Sequence, residues 1–111
     1  MNKEFNCPVE ATISLIGGKY KSVILYHLMG KTLRYSELHK KIPKATDKML
    51  AQQLRELEKD GLIKRTVYPV VPPKTEYNLT EFGESLSPIL NAMCNWGESY
   101  LNIPSQCVEE S

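Results

Sequence analysis

The chain has 111 residues, of which 41% are hydrophobic and 24% charged, a balance that fits one globular domain and argues against a disordered or fibrous chain. No apolar run approaches the roughly 20 residues that span a bilayer, so no membrane partner is expected. Three cysteines form no dense framework, and Met1-Asn-Lys-Glu-Phe-Asn lacks the charged-then-apolar plan of an export signal, which together lead us to expect reduced thiols in a cytoplasm.

The first helix is expected over 8–16. Pro8 suits a first helical position, Val9, Ile13 and Ile16 recur at steps of four and three, and Gly17-Gly18 ends the run. A second helix over 19–29 places Val23, Ile24, Leu28 and Tyr20 inward, and Gly30 closes it. Two shorter helices follow, over 35–41 and 46–59. They are separated by Ile42-Pro43-Lys44-Ala45, where Pro43 opposes helical continuation. Thr46 can accept from the free N–H groups of the helix it opens, and Asp47 favours that helix's positive end. Asp60-Gly61 supplies a stop, with Gly61 in the left-handed region.

The period then changes. Residues 62–68 and 74–79 are rich in β-branched and aromatic types and read as two strands. The link Pro69-Val70-Val71-Pro72-Pro73 makes them a hairpin with a stiff tip. Thr80 opens a last long helix reaching about Tyr100, with a kink or break expected at Pro88. The expected class is therefore mainly α with a small β-hairpin (α+β): a winged helix-turn-helix with flanking N- and C-terminal dimerisation helices. One domain covers 1–111. It divides into the N-terminal helix (7–18), the winged helix-turn-helix core (19–79, wing about 62–79), the dimerisation helix (80–101) and a tail (102–111).

Charge is unevenly spread. Residues 1–30 carry +1, residues 31–75 hold eleven Lys/Arg against five Asp/Glu, a net +6, and residues 76–111 carry −6. A basic middle beside an acidic end points to one surface built for a polyanion. On the helix over 46–59, Leu50, Leu54, Leu57 and Gly61 fall on one arc, and Lys48, Gln52, Arg55 and Lys59 on the opposite one. Gln pairs bidentately with adenine in the major groove, and Lys or Arg meets guanine or phosphate. Thr46, Lys48, Gln52, Arg55 and Lys59 are thus the candidate reading residues, with Lys48 and Gln52 nearest the bases and Arg55 and Lys59 nearer phosphates. The competing interpretation is a solvated helix face, which alone would carry such a row. Its place after a Pro-containing turn and before a basic hairpin favours double-stranded DNA. Lys64, Arg65 and Lys74 on the wing, and Lys31 and Arg34 before the helix pair, are candidate backbone contacts.

The last helix carries more apolar surface than one protomer needs. Phe82, Leu86, Ile89, Met93, Trp96 and Tyr100 step by four and three, with Leu90, Cys94, Gly97 and Leu101 beside them. Together with Val9 and Ile13, the residues Phe82, Leu86, Ile89, Leu90, Met93, Trp96 and Tyr100 are expected to form a two-fold homodimer interface. The alternative is burial of this helix within its own protomer. An enzyme is not expected: His27 and His39 lie on separate helices, no His/Cys spacing suits a metal, and Gly17-Gly18-Lys19 lacks phosphate-loop spacing. No cofactor is expected either. A second class, a winged-helix protein–protein interaction module without sequence-specific DNA binding, predicts apolar groups on the outward face of the helix over 46–59.

Several ordered motifs are familiar. Cys7-Pro-Val-Glu, Leu15-Ile-Gly-Gly-Lys-Tyr-Lys, Leu33-Arg-Tyr-Ser-Glu-Leu, Lys48-Met-Leu-Ala-Gln-Gln-Leu-Arg-Glu-Leu-Glu-Lys-Asp-Gly-Leu, Tyr68-Pro-Val-Val-Pro-Pro-Lys-Thr-Glu-Tyr, Leu79-Thr-Glu-Phe-Gly and Asn95-Trp-Gly resemble the HxlR family of bacterial and archaeal regulators over about residues 7–97. The resemblance implies a MarR-like winged-helix homodimer acting at palindromic operators, as repressor or activator, commonly of a neighbouring operon. Tyr20 stands where the family often has Trp, and Val70 where an acidic wing residue is common. A small-molecule effector between the dimer helices and the reading domain is compatible with this plan, but no residue set identifies one. Cys7, at the cap of the first helix, faces free N–H groups and a dipole that favour thiolate. Some HxlR-type regulators use such a cysteine to sense electrophiles or oxidants, which makes Cys7 a candidate redox sensor. The alternative is a half-buried capping thiol. Cys94 is expected to pack, Cys107 to be exposed in the tail, and a Cys7–Cys107 bridge between subunits stays open.

Overall fold

A computed structural model describes residues 4–104. In chain order it comprises α1 (Pro8–Ile16), α2 (Lys21–Leu28), β1 (Leu33–Arg34), α3 (Tyr35–Lys41), α4 (Asp47–Lys59), β2 (Ile63–Tyr68), β3 (Lys74–Leu79), α5 (Glu81–Glu84) and α6 (Ser87–Leu101). The strands form one antiparallel sheet in the order β1-β3-β2, with Leu33 opposite Tyr77 and Ile63 opposite Leu79. β1 is too short to leave a periodic signal and was not expected from sequence. It arises because Leu33 and Arg34, just ahead of α3, pair with the middle of β3.

The core lies between the helices and the sheet. Ile24, Leu25 and Leu28 of α2, Leu38 of α3, Leu50, Leu54 and Leu57 of α4, and Leu62, Ile63, Tyr77 and Leu79 of the hairpin are all buried together. Burying a Leu or Ile side chain contributes about 1.5–3 kcal/mol, so this cluster fixes how α4 sits against the wing. In α2 the expected inward set is partly corrected. Leu25 is buried, whereas Val23 is 39% exposed. The helix begins at Lys21, and its buried arc runs through Lys21, Ile24, Leu25 and Leu28, so Val23, about 100° away from Ile24 around the helix, falls outside it.

Local signals set the boundaries. Thr46 caps α4, its Oγ1 accepting the Met49 N–H at 3.1 Å. Gly61 ends the helix at φ +79°, a left-handed conformation that L side chains rarely adopt. Thr80 caps α5 in the same manner, its Oγ1 accepting the Gly83 N–H at 3.0 Å. The break expected at Pro88 is present: α5 stops at Glu84, and Pro88 lies in the first turn of α6, where a missing N–H costs nothing.

Candidate nucleic-acid interface

The turn between α3 and α4 is fastened by polar contacts. The Tyr35 hydroxyl donates to Asp47 Oδ1 at 2.8 Å, and His39 Nδ1 lies 3.1 Å from the same oxygen. His39 Nε2 lies 2.8 Å from the Ala45 carbonyl. Burial, then the Asp47 hydrogen bond, pushes the Tyr35 phenol up to about 12, so the hydroxyl keeps its proton as donor. Asp47 therefore has partners inside the turn, leaving α4 to project its other side.

That side carries the expected row. Lys48, Gln52, Arg55 and Lys59 are all exposed, as is Thr46, while Leu50, Leu54 and Leu57 are buried behind them. No ion pair engages Lys48, Arg55 or Lys59 among the described residues. Gln52 is not free of neighbours: its Nε2 donates to Glu56 Oε2 at 3.2 Å. Sequence reasoning missed Glu56, whose side chain lies one turn beyond Gln52 on the edge of the row. It also missed Gln53, which is buried beside the leucines and accepts the Tyr20 N–H at 3.1 Å. The signal for Gln53 was its position: it falls nearer the leucine arc than the outward one.

The wing residues separate by strand alternation. Arg65 pairs in register with Tyr77 on the α4 side of the hairpin, and a concavity of about 350 Å³ between α4 and the wing is lined by Arg55, Glu58, Arg65 and Tyr77. The Tyr77 phenol is pushed up by burial, with Arg65 opposing. Lys64 points to the other face and is exposed. Lys74 shares its charge with Glu76 at 3.6 Å and lies 4.8 Å from the Tyr68 ring centre. Lys31 and Arg34 are exposed ahead of α3, and Glu37 Oε1 accepts the Arg34 N–H at 2.8 Å. The wing tip is apolar, with Val71 fully open to solvent.

A second surface lies on α1, α5 and α6. Val9, Ile13, Phe82, Ile89, Met93, Trp96 and Tyr100 are all exposed, with Trp96 at 70% and Tyr100 at 75%. The Trp96 and Tyr100 rings stack with centres 5.5 Å apart. Leu86 and Leu90 correct the expectation. They are 8% and 2% exposed and belong to the protomer's own core, because α6 packs one flank against α2 and leaves the other open.

Cys7 is a free thiol, exposed where a half-buried alternative was entertained, and caps α1 without a side-chain hydrogen bond. Cys94 packs inward, its Sγ 3.5 Å from the Tyr26 hydroxyl oxygen. Cys107, and with it the Cys7–Cys107 bridge, lies outside the described residues. Among the described residues no group of three or more His, Cys, Asp or Glu is placed to hold a metal, and no helix is long and apolar enough to cross a membrane.

Residues 15–105 match the model of the HxlR-like helix-turn-helix family. The HTH-type transcriptional regulator YdeP of Bacillus subtilis (strain 168) is 55% identical over 94 residues, covering 85% of this chain and 73% of YdeP. YtcD of the same organism, also an HTH-type transcriptional regulator, is 55% identical over 100 residues, 90% of this chain and 79% of YtcD. The solved structure of the redox regulator HypR in its oxidized form superposes with a TM-score of 0.80 at 52% identity, covering 84% of this chain and 96% of HypR.

Proposed function

The chain belongs to the HxlR-like helix-turn-helix family, and on that premise we propose that it is a homodimeric, cytoplasmic transcriptional regulator that reads a palindromic double-stranded DNA operator, commonly of a neighbouring operon. The single observation that carries the reading is the two-sided character of α4. Leucines lock one side into the core, and the other presents Lys48, Gln52, Arg55 and Lys59 outward with no acid in the row. In this reading Lys48 and Gln52 enter the major groove, while Arg55, Lys59 and Thr46 meet its edges and phosphates. Lys64, Arg65 and Lys74 on the wing, and Lys31 and Arg34, add backbone contacts. A protein-contact module would need apolar groups where these four stand, and none of them is apolar.

The exposed row of α6 with Val9 and Ile13 supports dimerisation, since an apolar surface of this kind on a monomer marks an interaction site. Two copies then set two reading helices at half-sites about one DNA turn apart. A small-molecule effector would bind between the proposed dimer helices and the reading domain, where a cleft of about 700 Å³ opens between α1 and α4. The test is a gel shift on random duplex DNA over a range of salt. Binding at low salt that falls with a log–log slope of about −0.9 per phosphate contact supports the reading. No binding at low salt would favour the protein-contact module.

Cys7 supports a second layer, redox or electrophile control. It is exposed, free and at the start of a helix that belongs to the proposed interface, and the HypR similarity joins it to a regulator described as a redox regulator. Diamide is expected to release the wild-type protein from its selected DNA and to leave Cys7→Ser bound. Equal responses from the two proteins refute the switch.

A further inference from the structure

Glu56 stands at the junction between the reading face and the protomer interior. Its Oε1 lies 2.7 Å from Lys21 Nζ, and its Oε2 accepts from Gln52 Nε2 at 3.2 Å. Lys21 is only 8% exposed, its stem packed at Gly18, while its ammonium meets Glu56 at the cleft between α1 and α4 that both residues line. The surrounding backbone leaves it little freedom. A Cβ added at Gly18 would stand 2.6 Å from Gln53 Oε1 and 2.9 Å from Lys21 Cδ, so the α1–α2 turn closes tightly over both side chains. The Tyr20 N–H donating to Gln53 ties the same turn to α4. Glu56 is thus held from behind by Lys21, and Gln52 is held by Glu56.

The consequence concerns what Gln52 can offer a base. A primary amide has two N–H donors and one carbonyl acceptor. The carboxylate beside it forces the nitrogen, not the oxygen, to face Glu56, and takes one of the two donors. What remains is one N–H and the carbonyl oxygen, the pair that bidentate recognition of adenine N7 and N6 requires. An unheld Gln52 would sample both amide orientations and several rotamers, and would lose that order on every free encounter with DNA.

We propose that Lys21 is a positioning residue for DNA reading: through Glu56 it fixes the orientation of the Gln52 amide. This rests on the reading of α4 as the recognition helix with Gln52 at a base. Lys21 also compensates the Glu56 charge, which would otherwise stand beside the phosphates. Glu56 itself keeps its carboxyl below the usual glutamate range, first through its hydrogen bond to Lys21 and then through that to Gln52.

The experiment is selection of bound sequences from a fully randomised duplex library by the full chain and by Gln52→Ala, Lys21→Met and Lys21→Arg, each checked for folding by circular dichroism. The wild type is expected to select a palindromic motif. Gln52→Ala should flatten the preference at one position in each half-site by about tenfold, the scale of one bidentate pair. Lys21→Met should flatten that same position and no other, and Lys21→Arg, which keeps a charged donor for Glu56, should restore it. A Lys21→Met protein that keeps the wild-type preference there while binding more weakly overall overturns the positioning role. So does a wild-type motif that Gln52→Ala leaves unchanged. Absence of any selected motif for the wild type refutes the DNA-reading function itself, a distinct result. Should Lys21→Met fail to fold, the wild-type protein supplies the measurement. The Gln52 side-chain amide resonances should shift with pH as Glu56 protonates, at a midpoint below the ordinary glutamate value, and resonances indifferent to that titration refute the relay.

Discussion

Replacing Trp96 by Ala should dissolve the dimer without unfolding the protomer. Trp96 is 70% exposed in the single chain and stacks on Tyr100, itself 75% exposed, so its removal leaves no cavity in the core. A Trp side chain offers up to about 250 Å². Covering the exposed share would remove roughly 170 Å² from water, which at about 25 cal/mol per Å² is near 4 kcal/mol as an upper value. Truncation of a central interface Trp costs about 2–4 kcal/mol, and two-fold symmetry applies the loss twice. The dimer constant should therefore weaken by roughly 4–8 kcal/mol, about three to six decades. Sedimentation velocity over a dilution series from micromolar to nanomolar measures this. The chain has a single Trp, so its emission supplies a second readout: blue-shifted in the wild-type dimer and red-shifted on dilution. The protomer fold, followed by far-ultraviolet circular dichroism, should survive. Wild-type protein that is monomeric at micromolar concentration, or a Trp96→Ala protein that dimerises as well as wild type, refutes the reasoning.

Other expectations test the remaining links. Leu54→Ala should cost about 2–5 kcal/mol in urea unfolding through the cavity it leaves between α4 and the sheet, and a loss under 1 kcal/mol would contradict the burial described. Arg55→Gln should reduce the magnitude of the log–log salt slope by about 0.9 on random duplex if Arg55 meets a phosphate; an unchanged slope would assign it elsewhere. The His27 ring is held below its ordinary value of 6.5, first by burial, then by the Lys41 and Lys31 charges. The unfolded chain therefore binds the proton that the folded one rejects. This contribution to stability is fully present above pH 6.5 and is lost as pH falls through the folded value. An NMR titration of His27 should give a midpoint below 6.5, raised by Lys31→Gln; a midpoint at or above 6.5 in the wild type contradicts it.

Most of the outward face of α4 was legible in the sequence because helical periodicity sorts residues by angle. Lys48, Gln52, Arg55 and Lys59 needed only the leucine stripe to be placed outside, and Thr46 and Gly61 announced the ends of α4 through capping chemistry. The failures have one physical cause, that periodicity reports apolar faces but not which neighbour covers them. Leu86 and Leu90 lie on an apolar helix whose two flanks look alike in sequence, yet α2 buries one flank and leaves Trp96 and Tyr100 on the other. Val23 was placed inward because α2 is apolar on more than one side, so its sequence does not show that the buried arc runs through Leu25. β1 escaped notice because two residues carry no period, and its pairing to β3 is a long-range event.

The charge layout acquires a sharper meaning from these placements. A basic segment with five acids in it would be a poor polyanion site if those acids faced outward at random. Instead, Asp47 is engaged by Tyr35 and His39 inside the turn, and Glu56 by buried Lys21. Each of these acids at α4 is drawn toward a partner on another element, which leaves Lys48, Arg55 and Lys59 without an acidic partner at ion-pair distance. The cost of desolvating Lys21 is offset by its ion pair with Glu56 at 2.7 Å, and in the proposed reading the paired carboxylate repels phosphates less than a lone one would. Buried Lys21 has a role that the apolar residue which would fill its place better could not supply. In the proposed reading it lets α4 keep a carboxylate that orders Gln52 beside the cationic row that would face DNA.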